Sequence, residues 1–157
     1  FVKRQMVGVF DKRWLHPFAE ALNKMGSTNA WIIHGRDGLD EVSISDITDV
    51  VQLKNGKITE LSINPDEYGF KRNTIASIKG GDPKHNAIEL RSLLEGKEGP
   101  YKDIVLLNSA SALVGSGHEI KFETALLKSK NSFIDSTPFF LPNSIKMSVL
   151  FFVHRRT

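Results

Sequence analysis

Two adjacent carboxylates, Asp40 and Glu41, follow an apolar run and two glycines in the segment His34-Gly35-Arg36-Asp37-Gly38-Leu39-Asp40-Glu41-Val42-Ser43. From Asp37 to Asp49 there are five acids (Asp37, Asp40, Glu41, Asp46, Asp49), and no lysine or arginine falls between Arg36 and Lys54. Acids without a nearby counter-charge repel one another, so the cluster is either well solvated or neutralised by a cation. Hard oxygen donors favour Mg²⁺ or Ca²⁺. A metal–phosphate site is therefore the leading expectation, with Asp40 and Glu41 as candidate metal ligands. In a regular strand, neighbouring side chains point to opposite faces, so consecutive carboxylates converge only on a turn. Gly35 and Gly38 permit one. A solvated acidic loop is the competing reading.

Other residues invite weaker readings. His34 stands at the carboxyl end of an apolar run, where open α/β sheets bind ligands; the alternative is a histidine hydrogen-bonded at a strand end. Gly80-Gly81-Asp82 has the look of a phosphate loop, but reads better as a helix cap in which Asp82 bonds the first free amides. Asn108, inside an apolar helix, needs a buried partner and reads as structural. His16, His85, His118 and His154 show no ligand spacing, and no Ser-His-Asp arrangement stands out.

The elements that must position these residues follow from periodicity. Val7-Gly8-Val9-Phe10 reads as a short buried strand, and Asp11 as the N-cap of a helix over about 13–25 with Trp14, Phe18, Leu22 and Met25 on one stripe. Gly26 suits its C′ position. Ala30 to His34 is apolar on both faces, as expected of a central, parallel-type strand. Strand, helix and strand make a βαβ unit. Asn55-Gly56 between two strand-like runs predicts a type I′ hairpin, and 64–69 reads as a loop. Asp82 and Pro83 open a helix that Gly96 stops, with Ala87, Leu90 and Leu94 facing the core. A helix over about 102–114 ends at Gly115-Ser116-Gly117. Another spans 119–135 through Ile120, Phe122, Leu126, Leu127 and Phe133. Beyond it, Ser148 to Val153 is apolar without helical spacing, an edge strand or an exposed tail.

At 157 residues the chain is close to one ordinary domain, and 40% hydrophobic with 25% charged residues marks it as globular. It has no cysteine, which excludes disulfides and thiolate chemistry and suits a cytoplasmic location. No apolar run approaches the roughly 20 residues of a membrane span, so no membrane partner is expected. The net charge of +3 is dispersed: residues 37–117 carry nine basic and thirteen acidic side chains, and the basic pairs Lys3-Arg4, Lys12-Arg13 and Arg155-Arg156 lie far apart. A nucleic-acid partner is not expected from that pattern. Phe1 in place of Met points to a start of translation further upstream.

Several motifs occur in unbroken order: Gly8-Val9-Phe10, Ile32-Ile33-His34-Gly35, Gly38-Leu39-Asp40-Glu41-Val42-Ser43, Lys79-Gly80-Gly81-Asp82-Pro83, Asn86-Ala87 and Leu106-Leu107-Asn108-Ser109-Ala110. Together they resemble the anthranilate phosphoribosyltransferase family over residues 5–117, and more weakly through Ala125 to Ser136. The resemblance implies an α/β fold with a partial parallel or mixed sheet flanked by helices, a fragment of the large domain of the nucleoside phosphorylase and phosphoribosyltransferase type. Residues 1–136 would be the C-terminal part of that large domain and 137–157 a divergent tail. It also implies a glycosyltransferase of tryptophan biosynthesis, joining anthranilate to phosphoribosyl pyrophosphate and usually homodimeric when intact. Mg²⁺ is the implied cofactor: Glu41 would touch two ions and Asp40 one. The family's Gly-Thr-Gly-Gly-Asp loop, its Lys-His-Gly-Asn motif and its anthranilate-binding arginine would lie upstream of Phe1, so the isolated chain is expected to be inactive. A nucleoside phosphorylase-like protein, or a non-catalytic binding paralogue on the same fold, is the alternative.

Overall fold

The computed structural model describes residues 2–134. The proposed tail 137–157, with its strand-or-tail run Ser148 to Val153, lies outside the described residues, as do the boundary at 136 and the side chain of Phe133. Four strands form one mixed sheet in the order β1 (Arg4–Gly8), β2 (Asn29–Gly35), β3 (Thr48–Lys54), β4 (Lys57–Ile63). β1 and β2 pair in parallel; β2 with β3 and β3 with β4 pair antiparallel. β2 is therefore central, but only one of its two neighbours runs parallel to it. The expected βαβ unit is present, with α1 (Leu15–Lys24) as its crossover. The hairpin turn sits at Asn55 (φ 48°) and Gly56 (φ 83°), the left-handed pair that a type I′ turn requires.

β2 alternates between two cores. Ala30 and Ile32 join Val9, Leu15, Ala19, Val51 and Leu53 under α1. Trp31 and Ile33 face the opposite side, where Val50, Ile63, Leu107 and Leu113 pack together with Phe122 and Leu126. That second side is covered by α3 (Pro100–Gly115) and α4 (Phe122–Ile134). α3 is buried on most of its circumference, and its Gly115 packs so close to Trp31 that an added Cβ would lie 2.9 Å from the indole Cγ. The sheet is thus sandwiched, with apolar residues on both faces as its central strand demands.

Four expectations are corrected in detail. β1 is an edge strand, exposed at Arg4 and half-buried from Gln5 to Gly8; Val9 alone of the 7–10 run is buried, and Phe10 is 65% exposed. On α1, Leu15 and Ala19 are buried while Trp14, Phe18 and Met25 are exposed. The inward stripe is rotated one residue from the bulky one, because small Ala19 lets the helix lie close to β2. On α2 (Pro83–Leu94) only Leu93 is buried, Leu90 is half-buried, and Ala87 and Leu94 are exposed. On the last helix Phe122 and Leu126 are buried, but Leu127 is exposed, and Ile120 lies before the helix in solvent. Among the described residues no helix is long and apolar enough to cross a membrane.

Candidate functional site

The loop 36–47 joins antiparallel neighbours β2 and β3, where a hairpin needs only about two to five residues. The excess length is folded over the carboxyl ends of the parallel strands β1 and β2, the usual place for ligands in such sheets. Asp40 and Glu41 lie in this loop and in no strand. Asp40 is exposed and Glu41 half-buried. Both therefore lie on irregular chain near the carboxyl ends of β1 and β2, outside the alternation of a strand.

The loop is braced from within. Asp37 Oδ1 accepts the Leu39 amide at 3.1 Å, and Oδ2 accepts the hydroxyls of Ser43 and Ser45. The Gly35 amide donates to the Leu39 carbonyl at 2.7 Å. Gly38 has φ +92°, a conformation that side chains other than glycine rarely adopt. Beneath the carboxylates, Gly8 ends β1 against the loop: a Cβ there would come within 1.7 Å of the Asp40 carbonyl oxygen. Only a residue without a side chain lets strand and loop meet.

A second brace comes from α3. The Val42 amide donates to Asn108 Oδ1 at 2.9 Å, and Asn108 Nδ2 donates to the Val42 carbonyl at 2.9 Å and to the Ile104 carbonyl at 2.9 Å. Asn108 was expected to find a buried partner, and this is the partner. Nothing in the sequence pointed to Val42 in particular. Gly8 and Asp37 were also missed as parts of the site. An Asp two residues after a strand-ending Gly, with Gly following it, is the signal of an Asx turn that could have found Asp37.

The acid cluster, bare in sequence, is largely compensated in space. Asp49 receives Arg36 through Nη2 at 2.9 Å and Lys12 Nζ at 2.9 Å. Burial pushes the Asp49 carboxyl up, but the hydrogen bonds from Arg36 and Lys12 outweigh it and hold the group below the usual carboxylate range. Asp46 is met by Arg72, which also pairs with Asp66. Of the two readings of the acid cluster, solvation or neutralisation by a cation, Asp46 and Asp49 take the second, through Arg72, Arg36 and Lys12. Asp40 forms no ion pair with a described lysine or arginine. Glu41 lies near enough to the start of α3 for its charge to reach Tyr101. There burial, with the negative charges of Glu89 and Glu41, pushes the Tyr101 hydroxyl above its ordinary value.

Among the described residues no three His, Asp or Glu side chains converge into a ligand set. A pair of hard carboxylates is nonetheless the donor set that Mg²⁺ takes when substrate phosphates and waters complete its octahedron. The residues present fit such an ion.

The remaining candidates resolve structurally. His34 Nδ1 lies 2.8 Å from the Val9 carbonyl, which can only accept, so Nδ1 carries the proton. That is the strand-end reading. Gly80-Gly81-Asp82 is a helix cap: Asp82 Oδ1 accepts the His85 amide at 2.8 Å, and Asn86 pairs with both the amide and the carbonyl of Gly81.

A family model described as "Glycosyl transferase family, a/b domain" matches residues 1–135. The chain is 47% identical over 127 residues to the anthranilate phosphoribosyltransferase of Rhodopseudomonas palustris (strain TIE-1), a match covering 80% of this chain and 38% of that relative. Anthranilate phosphoribosyltransferase from Thermus thermophilus superposes with a TM-score of 0.72 at 29% identity, over 93% of this chain and 41% of that one. The Saccharomyces cerevisiae enzyme in complex with PRPP and Mg superposes with a TM-score of 0.75 at 23% identity, over 96% and 42%, a likeness of fold. The chain spans about two fifths of the length of these relatives.

Proposed function

Because the chain belongs to the glycosyl transferase family, a/b domain, we propose that it supplies the metal–diphosphate side of an anthranilate phosphoribosyltransferase site. The observation that carries this reading is the placement of Asp40 and Glu41, consecutive carboxylates on a braced loop at the carboxyl ends of β1 and β2. The complete reaction joins anthranilate to phosphoribosyl pyrophosphate in the cytoplasm, releasing pyrophosphate from the anomeric carbon. Asp40 and Glu41 would hold Mg²⁺ and, through it, the diphosphate. The ion supplies charge neutralisation and a template for the leaving group. The chain's own contribution is geometric: Asp37, Gly8 and Asn108 fix the carboxylates before substrate arrives, so little reorganisation is needed at the moment of reaction.

These residues serve only the leaving-group side, so the isolated chain should show no turnover. Grafted in place of the matching segment of the Rhodopseudomonas relative, residues 1–134 should sustain Mg²⁺-dependent phosphoribosyl transfer to anthranilate. In that chimera Asp40→Asn with Glu41→Gln should lower kcat/KM by about 100-fold or more, since both charged ligands are lost. The melting temperature should stay within a few degrees, because the carboxylates are not in the core. A folded chimera without transfer would favour a non-catalytic paralogue. A double variant with unchanged rates at limiting Mg²⁺ would remove the metal role.

A further inference from the structure

From the geometry of the loop and α3 we infer that Asn108 is a positioning residue for the carboxylate pair, setting the orientation of Glu41 through the peptide that follows it. The inference rests on the metal reading of Asp40 and Glu41. Asn108 lies in the middle of α3 and is 7% exposed. Its amide orientation is unambiguous: Val42 N–H can only donate, so Oδ1 faces it, and both partners of Nδ2 are carbonyls. Both amide hydrogens and the amide oxygen of its side chain are committed, two of its three bonds to one residue of the loop.

That residue is the one after Glu41. The Glu41–Val42 peptide is a rigid plane. Holding the Val42 N–H therefore fixes the plane attached to the Glu41 Cα, and with it the direction in which the carboxylate leaves the backbone. On the other side, the Gly35 amide holds the Leu39 carbonyl, which fixes the Leu39–Asp40 plane. The Asp40–Glu41 pair is thus suspended between two clamped peptides, one held within the loop and one held by α3. Neither residue of the pair belongs to a strand. Asn108 takes the place of the missing strand, offering Val42 a donor and an acceptor as a paired backbone would.

A merely structural asparagine would cost stability and nothing else when removed. A positioning one would also weaken metal binding in protein that remains folded. Ser111 supplies the control: it is fully buried one turn further along the same helix, and its hydroxyl donates within the helix, to the Leu107 carbonyl at 2.8 Å. The probe is the manganese–pyrophosphate complex, titrated against the whole 157-residue chain and read by water-proton relaxation. Temperatures are held well below each variant's melting point. Asn108→Ala should weaken binding about 10-fold, within the range for outer partners of metal ligands, while Ser111→Ala stays within about 2-fold. Should the alanine variant not fold, Asn108→Ser replaces it, with a hydroxyl that reaches back to the Ile104 carbonyl but is too short for Val42.

Amide exchange of Val42, whose N–H donates to Asn108 Oδ1, measured on the same samples, should rise about 10-fold in the Asn108 variants relative to the rest of the sheet. Wild-type affinity in the Asn108 variants, with binding still abolished by Asp40→Asn and Glu41→Gln, would overturn the positioning role and leave the metal reading standing. If the unaltered chain binds no manganese–pyrophosphate, the metal reading falls, and with it any role of Asn108 in metal binding. Exchange then decides the geometric part: unchanged protection at Val42 would overturn that as well.

Discussion

α2 and α3 both begin at a proline, and both bring an asparagine side chain back onto backbone, yet they play opposite parts. α3 is buried on most of its surface, and its asparagine reaches across to a loop 66 residues earlier in the chain. α2 buries only Leu93 and leaves Ile88 and Leu94 more than half exposed; its asparagine bonds Gly81, just before its own first turn. The difference lies in reach. A polar side chain inside an apolar helix is under strong pressure to find a partner, because an unmet buried amide costs about 1–3 kcal/mol. That pressure couples α3 to the carboxylate loop. On α2 the same chemistry, open to water, does no more than close a cap.

Core truncation should separate the two helices most sharply. Leu107→Ala, at a fully buried position of α3, should cost about 3 kcal/mol and lower the melting temperature by about 10 °C in calorimetry. Leu94→Ala on α2, at a position 70% exposed, should change stability by less than about 0.5 kcal/mol. Equal losses at the two sites would mean that α2 belongs to the core after all.

A smaller effect is expected at Asp49, which ties β3 to Arg36 at the start of the loop and to Lys12. Its folded pKa lies below the unfolded value of about 3.9. The stabilisation is therefore present above about pH 4 and is lost as pH falls through the depressed folded value. Both cations are exposed and screened by solvent, so Asp49→Asn should cost about 1 kcal/mol at neutral pH. It should also flatten the acid limb of a urea-denaturation series below about pH 4. An unchanged acid limb would show that the Arg36–Asp49–Lys12 contact does not anchor the loop.

Much of this arrangement was legible in the sequence. Asn55-Gly56 announced its hairpin, Asp82-Pro83 and Gly96 bracketed α2, and the unbroken apolar run into His34 marked the central strand. Helix faces were less legible. On α1 the bulky stripe of Trp14, Phe18 and Met25 is the natural core by size, but Leu15 and small Ala19 face the sheet. Periodicity identifies a stripe without saying which of two adjacent stripes allows the closer approach. Charge compensation was hidden for a similar reason: Lys12 and Arg72 are far from Asp49 and Asp46 along the chain and meet them only through tertiary packing. For the candidate site, the adjacency of Asp40 and Glu41 and the glycines that take them out of a strand could be read directly. The bracing could not, because the closeness of Gly8 to the Asp40 carbonyl and the grip of Asn108 on Val42 are contacts between distant segments.

The most direct test of the metal site is anomalous diffraction from crystals of the chain soaked with Mn²⁺ and pyrophosphate. The account predicts an anomalous peak about 2.1 Å from carboxylate oxygens of the Asp40–Glu41 pair, with the diphosphate bridging outward over the ends of β1 and β2. Manganese bound at Asp46 and Asp66 instead, or a diphosphate held away from the loop, would contradict it.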